Sequence, residues 1–219
     1  MIFSLKHKFL FIRNPACGNR SIAKALEPFA DFADYFDLKK RGFGFKHCTY
    51  MNQLPTDIYN LSEMFDDDFF VFCGVRNPWE RAYNIFEGQR ILLGLGYMMD
   101  VIERDEITTN FDVKYTKMIA ESKTLKGDLM NLPPDGRKAL DQKPYRIGVD
   151  FVYRFENIEE DFEKICDILK IKTRIPPKEE SYHGIDFKDE TYREHYDQEM
   201  IDMISEVHKD DISEYGYKF

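Results

Sequence analysis

The sequence predicts an α/β fold, a single P-loop-like domain with a central parallel sheet flanked by helices. Three short, uninterrupted apolar runs carry that prediction: Lys8 to Arg13 (KFLFIR), Phe69 to Val75 (FFVFCGV) and Asp150 to Phe155 (DFVYRF). Strands buried on both faces read this way, whereas half-exposed strands alternate apolar with polar. Each run is followed by apolar residues at helical spacing. Strand then helix, three times over, implies right-handed crossovers within one sheet.

The first run stops at Asn14-Pro15, and Ile22, Leu26 and Phe29 then mark a helix. The second ends at Arg76; Pro78 suits the first turn of the helix carrying Trp79, Tyr83 and Phe86. The third precedes Ile158, Phe162, Ile165 and Leu169, one apolar face with Glu and Asp opposite. A last helix is expected near Gln198 to His208, with Met200, Ile201, Ile204 and Val207 at helical spacing. Gly94 to Arg146 is the least regular stretch. Its LPPDG (Leu132 to Gly136) predicts a turn-rich insertion near a binding face.

At 219 residues the chain suits one domain, spanning 1–219, and 43% hydrophobic residues suffice for a core. A formal net charge of −9 argues against a nucleic-acid partner, because phosphate backbones select basic stripes. The apolar runs are strand-sized, so no membrane span is expected, and no signal peptide is evident. Cys17, Cys48, Cys73 and Cys166 are scattered without CxxC or His/Cys spacing, so no metal site is expected and a reduced compartment is the simplest reading.

Ligands of open α/β sheets sit at the carboxyl ends of strands. At the first such end stands NPACGNRS, Asn14 to Ser21. Gly18 permits unusual backbone angles, and Asn19 or Ser21 can cap the helix that follows. The unladdered amides of that helix's first turn, with its dipole, suit an anion; an ordinary strand–turn–helix junction is the plainer alternative. GxxxxGK[ST] is absent, and Cys-x5-Arg fails because position 23 is Ala23. At the second strand end, VRNPWERAYNIF places Arg76 where a guanidinium can grip a phosphate, or serve the fold alone. Arg81 either reaches the same ligand or pairs with a carboxylate.

Together the two stretches resemble the nucleotide-binding motifs of sulfotransferases that use 3′-phosphoadenosine-5′-phosphosulfate (PAPS), particularly the carbohydrate-type family with bacterial, phage and Golgi members. The family's I-P-K-x-G-G-T-S, which binds the 5′-phosphosulfate, is similar to Asn14-Pro15-Ala16-Cys17-Gly18-Asn19-Arg20-Ser21. Its V-R-[DN]-P-[WYF]-x-R-x-x-S, which binds the 3′-phosphate, is matched by Arg76, Pro78, Trp79 and Arg81, with Asn84 in the place of the serine. Lys46-His47 is similar to a K-H-x-T stretch, Asp150 to Ile171 to a third block, and Pro176 to His183 to P-H-x-N-x-S, with Ser181 matching. The ending, YREHYDQEMIDMISEVHKDDISEYGYKF, is also similar to the family's.

The resemblance implies sulfuryl transfer from PAPS to a hydroxyl of a carbohydrate or small molecule, without a metal. It assigns the donor to Ala16, Cys17, Gly18, Asn19, Arg20 and Ser21, and its 3′-phosphate to Arg76 and Asn84, with Ser181 nearby. His47 is the candidate base, with His183 second; His7, His195 and His208 read as surface or helix positions. Ala16 stands where the family has a lysine that stabilises the leaving phosphate. Three explanations compete: Arg20 supplies the charge, Arg13 does, or Ala16 marks a trapped or inactive form. The basic island Leu38 to His47 either guides an anion or is a solvated loop. Trp79 is expected to pack its helix on the sheet, and Arg154 to pair with Glu156. Golgi members carry a membrane anchor, whereas this chain starts almost at its first strand, so a cytoplasmic protein is expected. A PAPS-binding relic without transfer, or a P-loop kinase, are the alternatives.

Overall fold

The structure, a computed structural model, describes residues 2–30, 69–94, 116–176 and 192–219. It is a mixed α/β fold that divides into two compact units: Met1–Arg76 with Lys143–Ile185, and Asn77–Gln142 with Asp186–Phe219. Among the described residues no helix is long and apolar enough to cross a membrane.

The first unit holds a four-stranded sheet in the order β1 (Ile2–Ser4), β2 (Phe9–Ile12), β3 (Phe70–Val75) and β4 (Phe151–Arg154). The three expected runs form β2, β3 and β4 and pair in parallel: Phe11 opposes Phe72, and Gly74 opposes Tyr153. The sheet is not wholly parallel, because β1 adds an antiparallel edge with Phe3 opposite Leu10. That strand precedes the first of the three apolar runs, in a stretch where no element was expected. Its three side chains are buried, which is what a short edge strand on a covered sheet requires.

Successive side chains leave opposite faces of a strand, and here each face has its own core. Phe9, Phe11, Phe72 and Tyr153 pack with Ile22 and Leu26 of α1 (Asn19–Leu26) and with Phe162, Ile165 and Leu169 of a helix at Ile158–Leu169. Phe11 and Phe72 stack with centroids 5.1 Å apart. Leu10, Ile12 and Cys73 face the other way, onto Tyr145. Covering both faces removes any need for polar alternation, and so produces the continuous apolar runs.

The second unit is helical among its described residues. Its helices are α2 (Pro78–Gly94), α3 (Thr116–Ser122), α4 (Leu125–Asn131) and α5 (Pro134–Leu140); α6 (Lys143–Arg146) and α7 (Ile158–Leu169) belong to the first unit, and α8 (Gln198–Val207) and α9 (Lys209–Tyr215) to the second. Asn77 caps α2, its Oδ1 accepting from the amides of Trp79 and Glu80 at 3.2 and 3.3 Å, with Pro78 as first helical residue. Thr124 and Asp197 cap α4 and α8 in the same manner. The LPPDG stretch is a helix start rather than a turn, because Pro134 at the first position loses no ladder bond. The Trp79 indole N–H donates to the Ile201 carbonyl at 3.2 Å, and its ring meets Phe219 edge-on at 5.7 Å, so its partners within this unit are α8 and the chain's last residue. Phe219 also contacts Tyr192 and Tyr196.

Of the two positions expected for His208, surface or helix, it takes the helical one, closing α8 as its C-cap, and it is 1% exposed. Its Nδ1 lies 3.0 Å from Asp211 Oδ2, and Gln142 donates to the same carboxylate at 3.4 Å. Asp141 approaches the pair, and the Arg81 guanidinium is close enough to oppose protonation of the imidazole. Arg81 itself is 1% exposed and donates to the Leu140 carbonyl at 2.5 Å. Burial, more than Arg81, holds His208 below the ordinary histidine pKa, while Asp211 pulls the other way.

Candidate functional site

The candidate site is the loop between β2 and α1, at the carboxyl ends of β2, β3 and β4. Four hydrogen bonds fix it. Asn14 leaves the sheet and donates from Nδ2 to the Gly74 carbonyl at 2.8 Å, tying the loop's first residue to the neighbouring strand. Asn19 Nδ2 donates back to the Asn14 carbonyl at 2.6 Å. Arg76 donates from Nη1 to the Ala16 carbonyl at 2.9 Å. The Tyr153 hydroxyl donates to the Cys17 carbonyl at 2.8 Å.

Two residues of the loop are left-handed, Ala16 with φ 61° and Gly18 with φ 77°. Glycine is required at 18 on two grounds: the positive φ, and a Cβ that would overlap Ile158 and approach Phe155 to 3.2 Å. Gly18, not Asn19 or Ser21, is the N-cap of α1, and no side chain caps the helix. The Asn19 side chain instead turns back into the loop, and its buried Oδ1 has no hydrogen-bond partner among the described residues. The helix ladder opens with Ile22 N–H to the Gly18 carbonyl at 3.2 Å. The amides before Ile22 are therefore not consumed by the helix, the arrangement that receives an anion.

The geometry gives Arg76 more partners than a phosphate grip alone. It is 4% exposed, its guanidinium lies 3.8 Å from the Phe155 ring centroid, and it holds a loop carbonyl. Arg20 is exposed on the first turn of α1, whereas Cys17 is fully buried and its thiol meets the Pro15 carbonyl at 3.5 Å. Asn84 belongs to the second unit, where its Nδ2 donates to the Glu80 carbonyl one turn earlier at 2.8 Å. Arg154 and Glu156 form the expected pair at 3.9 Å. His195 is exposed and stacks on Tyr83 at 4.9 Å, and His7 meets Phe29 edge-on at 5.5 Å. His47, Ser181, His183 and the basic island at 38–47 lie outside the described residues.

Sequence reasoning passed over Tyr153, Gly74 and Phe155. Gly74 carried a usable signal, being a lone glycine in a strand of bulky residues, which points to close approach of another group. That group is Tyr153: a Cβ at 74 would overlap the phenol ring. Burial, reinforced by the neighbouring Cys17 and Cys73, pushes the Tyr153 pKa well above the ordinary phenol value, so the hydroxyl stays a donor. No family profile, curated protein or solved structure matches this chain.

Proposed function

We propose that the chain is a PAPS-dependent sulfotransferase of P-loop-like architecture, moving a sulfuryl group to a hydroxyl of a carbohydrate or small molecule in a cytoplasmic setting. The observation that carries the reading is the loop from Asn14 to Gly18. Its carbonyls are drawn toward Asn19, Arg76 and Tyr153, and the unladdered amides of α1 follow directly. The sequence resemblance of Asn14–Ser21 and of Arg76 to the family's two motifs supplies the choice of anion.

In this reading the 5′-phosphosulfate lies on the amides of residues 18–21, the Cys17 amide being held by the Asn14 carbonyl, and the family resemblance assigns the 3′-phosphate to Arg76 and Asn84 and adds Ser181 to the donor-binding residues. The acceptor oxygen attacks sulfur in line as the bond to the phosphate oxygen breaks. His47 takes the acceptor's proton, and adenosine 3′,5′-bisphosphate leaves. Arg20 supplies positive charge to the leaving phosphate in place of a lysine at 16. The direct test is radiolabelled PAPS with a panel of sugar hydroxyl acceptors: labelled product supports transfer, and no product with any acceptor counts against it.

One observation favours a second reading, a chain that binds the donor without transferring from it. Ala16 offers no cation, and its backbone carbonyl is already held by Arg76. Tight binding of adenosine 3′,5′-bisphosphate with no transfer to any acceptor would select this reading over the enzyme.

A further inference from the structure

We propose that Tyr153 is the positioning residue of the anion loop: its hydroxyl, out of reach of any ligand, sets the direction of the amide that a bound phosphate would meet. The inference rests on the reading of residues 14–21 as the donor site. Tyr153 is fully buried, its ring lies against Gly74, and its hydroxyl donates to the Cys17 carbonyl at 2.8 Å.

The consequence follows from peptide geometry. No described peptide bond is cis, so the N–H of each residue points opposite to the carbonyl of the residue before it. With the Cys17 carbonyl directed inward to Tyr153, the Gly18 N–H is directed away from the core. With the Ala16 carbonyl directed to Arg76, the Cys17 N–H turns the other way, where it meets the Asn14 carbonyl at 3.3 Å. One amide thus closes the turn and the next faces outward, ahead of the first-turn amides of α1. Gly74 is the enabling residue, since any side chain there would displace the phenol.

Without the hydroxyl, the 17–18 peptide loses the buried donor that holds its carbonyl at 2.8 Å, although the ring and its packing remain. An ordinary tyrosine-to-phenylalanine change in a core alters stability; this one is expected to alter the loop and the ligand as well. Tyr153→Phe should speed hydrogen exchange of the Gly18 and Asn19 amides in the unliganded chain by about tenfold, with exchange in α7 unchanged. It should weaken binding of adenosine 3′,5′-bisphosphate by about tenfold in calorimetric titration. Arg76→Lys, which keeps the charge but loses the planar stack on Phe155, releases the neighbouring carbonyl and serves as the second variant should Tyr153→Phe not fold. Its loop amides are likewise expected to exchange faster.

Loop exchange and affinity both unchanged in the folded variants would overturn the positioning role while leaving the donor site standing. Failure of the unaltered chain to bind the bisphosphate would overturn the donor site and this inference with it. Faster loop exchange with weaker binding is the result that supports both.

Discussion

The Tyr153 hydroxyl and the Cys17 carbonyl are 136 residues apart in sequence and 2.8 Å apart in space. Their bond joins the third parallel strand to the loop that leaves the first. Gly74, on the strand between them, leaves room for the phenol to cross. A structural glycine, a buried donor and a shaped loop therefore act as one device.

Gly74→Ala should destabilise the protein by about 3 kcal/mol, because the new methyl overlaps a ring that its own hydrogen bond holds in place. Urea unfolding measures this. A change within a few tenths of a kcal/mol would mean that the phenol can move aside.

Acidification should weaken the fold through His208. Its folded pKa lies below the ordinary 6.5, first because it is buried and second because of Arg81, so the unfolded chain takes up a proton that the folded chain resists. This contribution is complete above 6.5 and declines as pH falls below it. The slope is at most about 1.4 kcal/mol per pH unit for one proton. His208→Gln should flatten the thermal-melting profile between about pH 7.5 and about pH 5.5, roughly one unit either side of the ordinary histidine value. An unchanged profile would show that another group sets the acid limb.

Arg81→Ala should cost about 3 kcal/mol, since it removes a fully buried side chain and strips its guanidinium from the Leu140 carbonyl. Thermal melting and soluble yield report the loss. A mild effect would mean that water enters and takes over the Leu140 carbonyl.

Trp79 is the only tryptophan, so its fluorescence reports on the second unit alone. Phe219→Ala removes the ring that meets the indole edge-on at 5.7 Å and should shift its emission to the red, with a loss of about 1 kcal/mol in stability. Unshifted emission would show that Tyr192 and Tyr196 close the gap.

Arg20→Ala separates charge supply from loop shape. Arg20 is exposed, so the melting temperature should hold, while sulfuryl transfer should fall about tenfold or more, the scale of one lost charge-assisted contact. Unchanged transfer would remove Arg20 from the chemistry.

The sheet was legible because burial on both faces leaves an unmistakable pattern, as FFVFCGV shows for β3. The helix starts at Pro78 and Pro134 both carried the right residue, but proline after proline reads as a turn when no apolar periodicity follows it clearly. β1 escaped notice because three residues are too few to show any period. At the site, Gly18 and the strand–loop–helix junction could be read, since glycine at such a junction has a local cause. The partners that shape the loop could not be read, because Tyr153 lies on a distant strand and only pairing of β3 with β4 brings it there. The burial of His208 could not be read for the same reason. Its helical neighbours look polar, and the residues that bury it come from Arg81 and from the segment after α5.

The central claim is that residues 14–21 form a donor-nucleotide site, and calorimetric titration with adenosine 3′,5′-bisphosphate, with ATP as the control, tests it most directly. Micromolar binding is predicted for the bisphosphate, about 8 kcal/mol of binding free energy, with ATP at least about tenfold weaker. Equal or absent binding of both nucleotides would contradict the account.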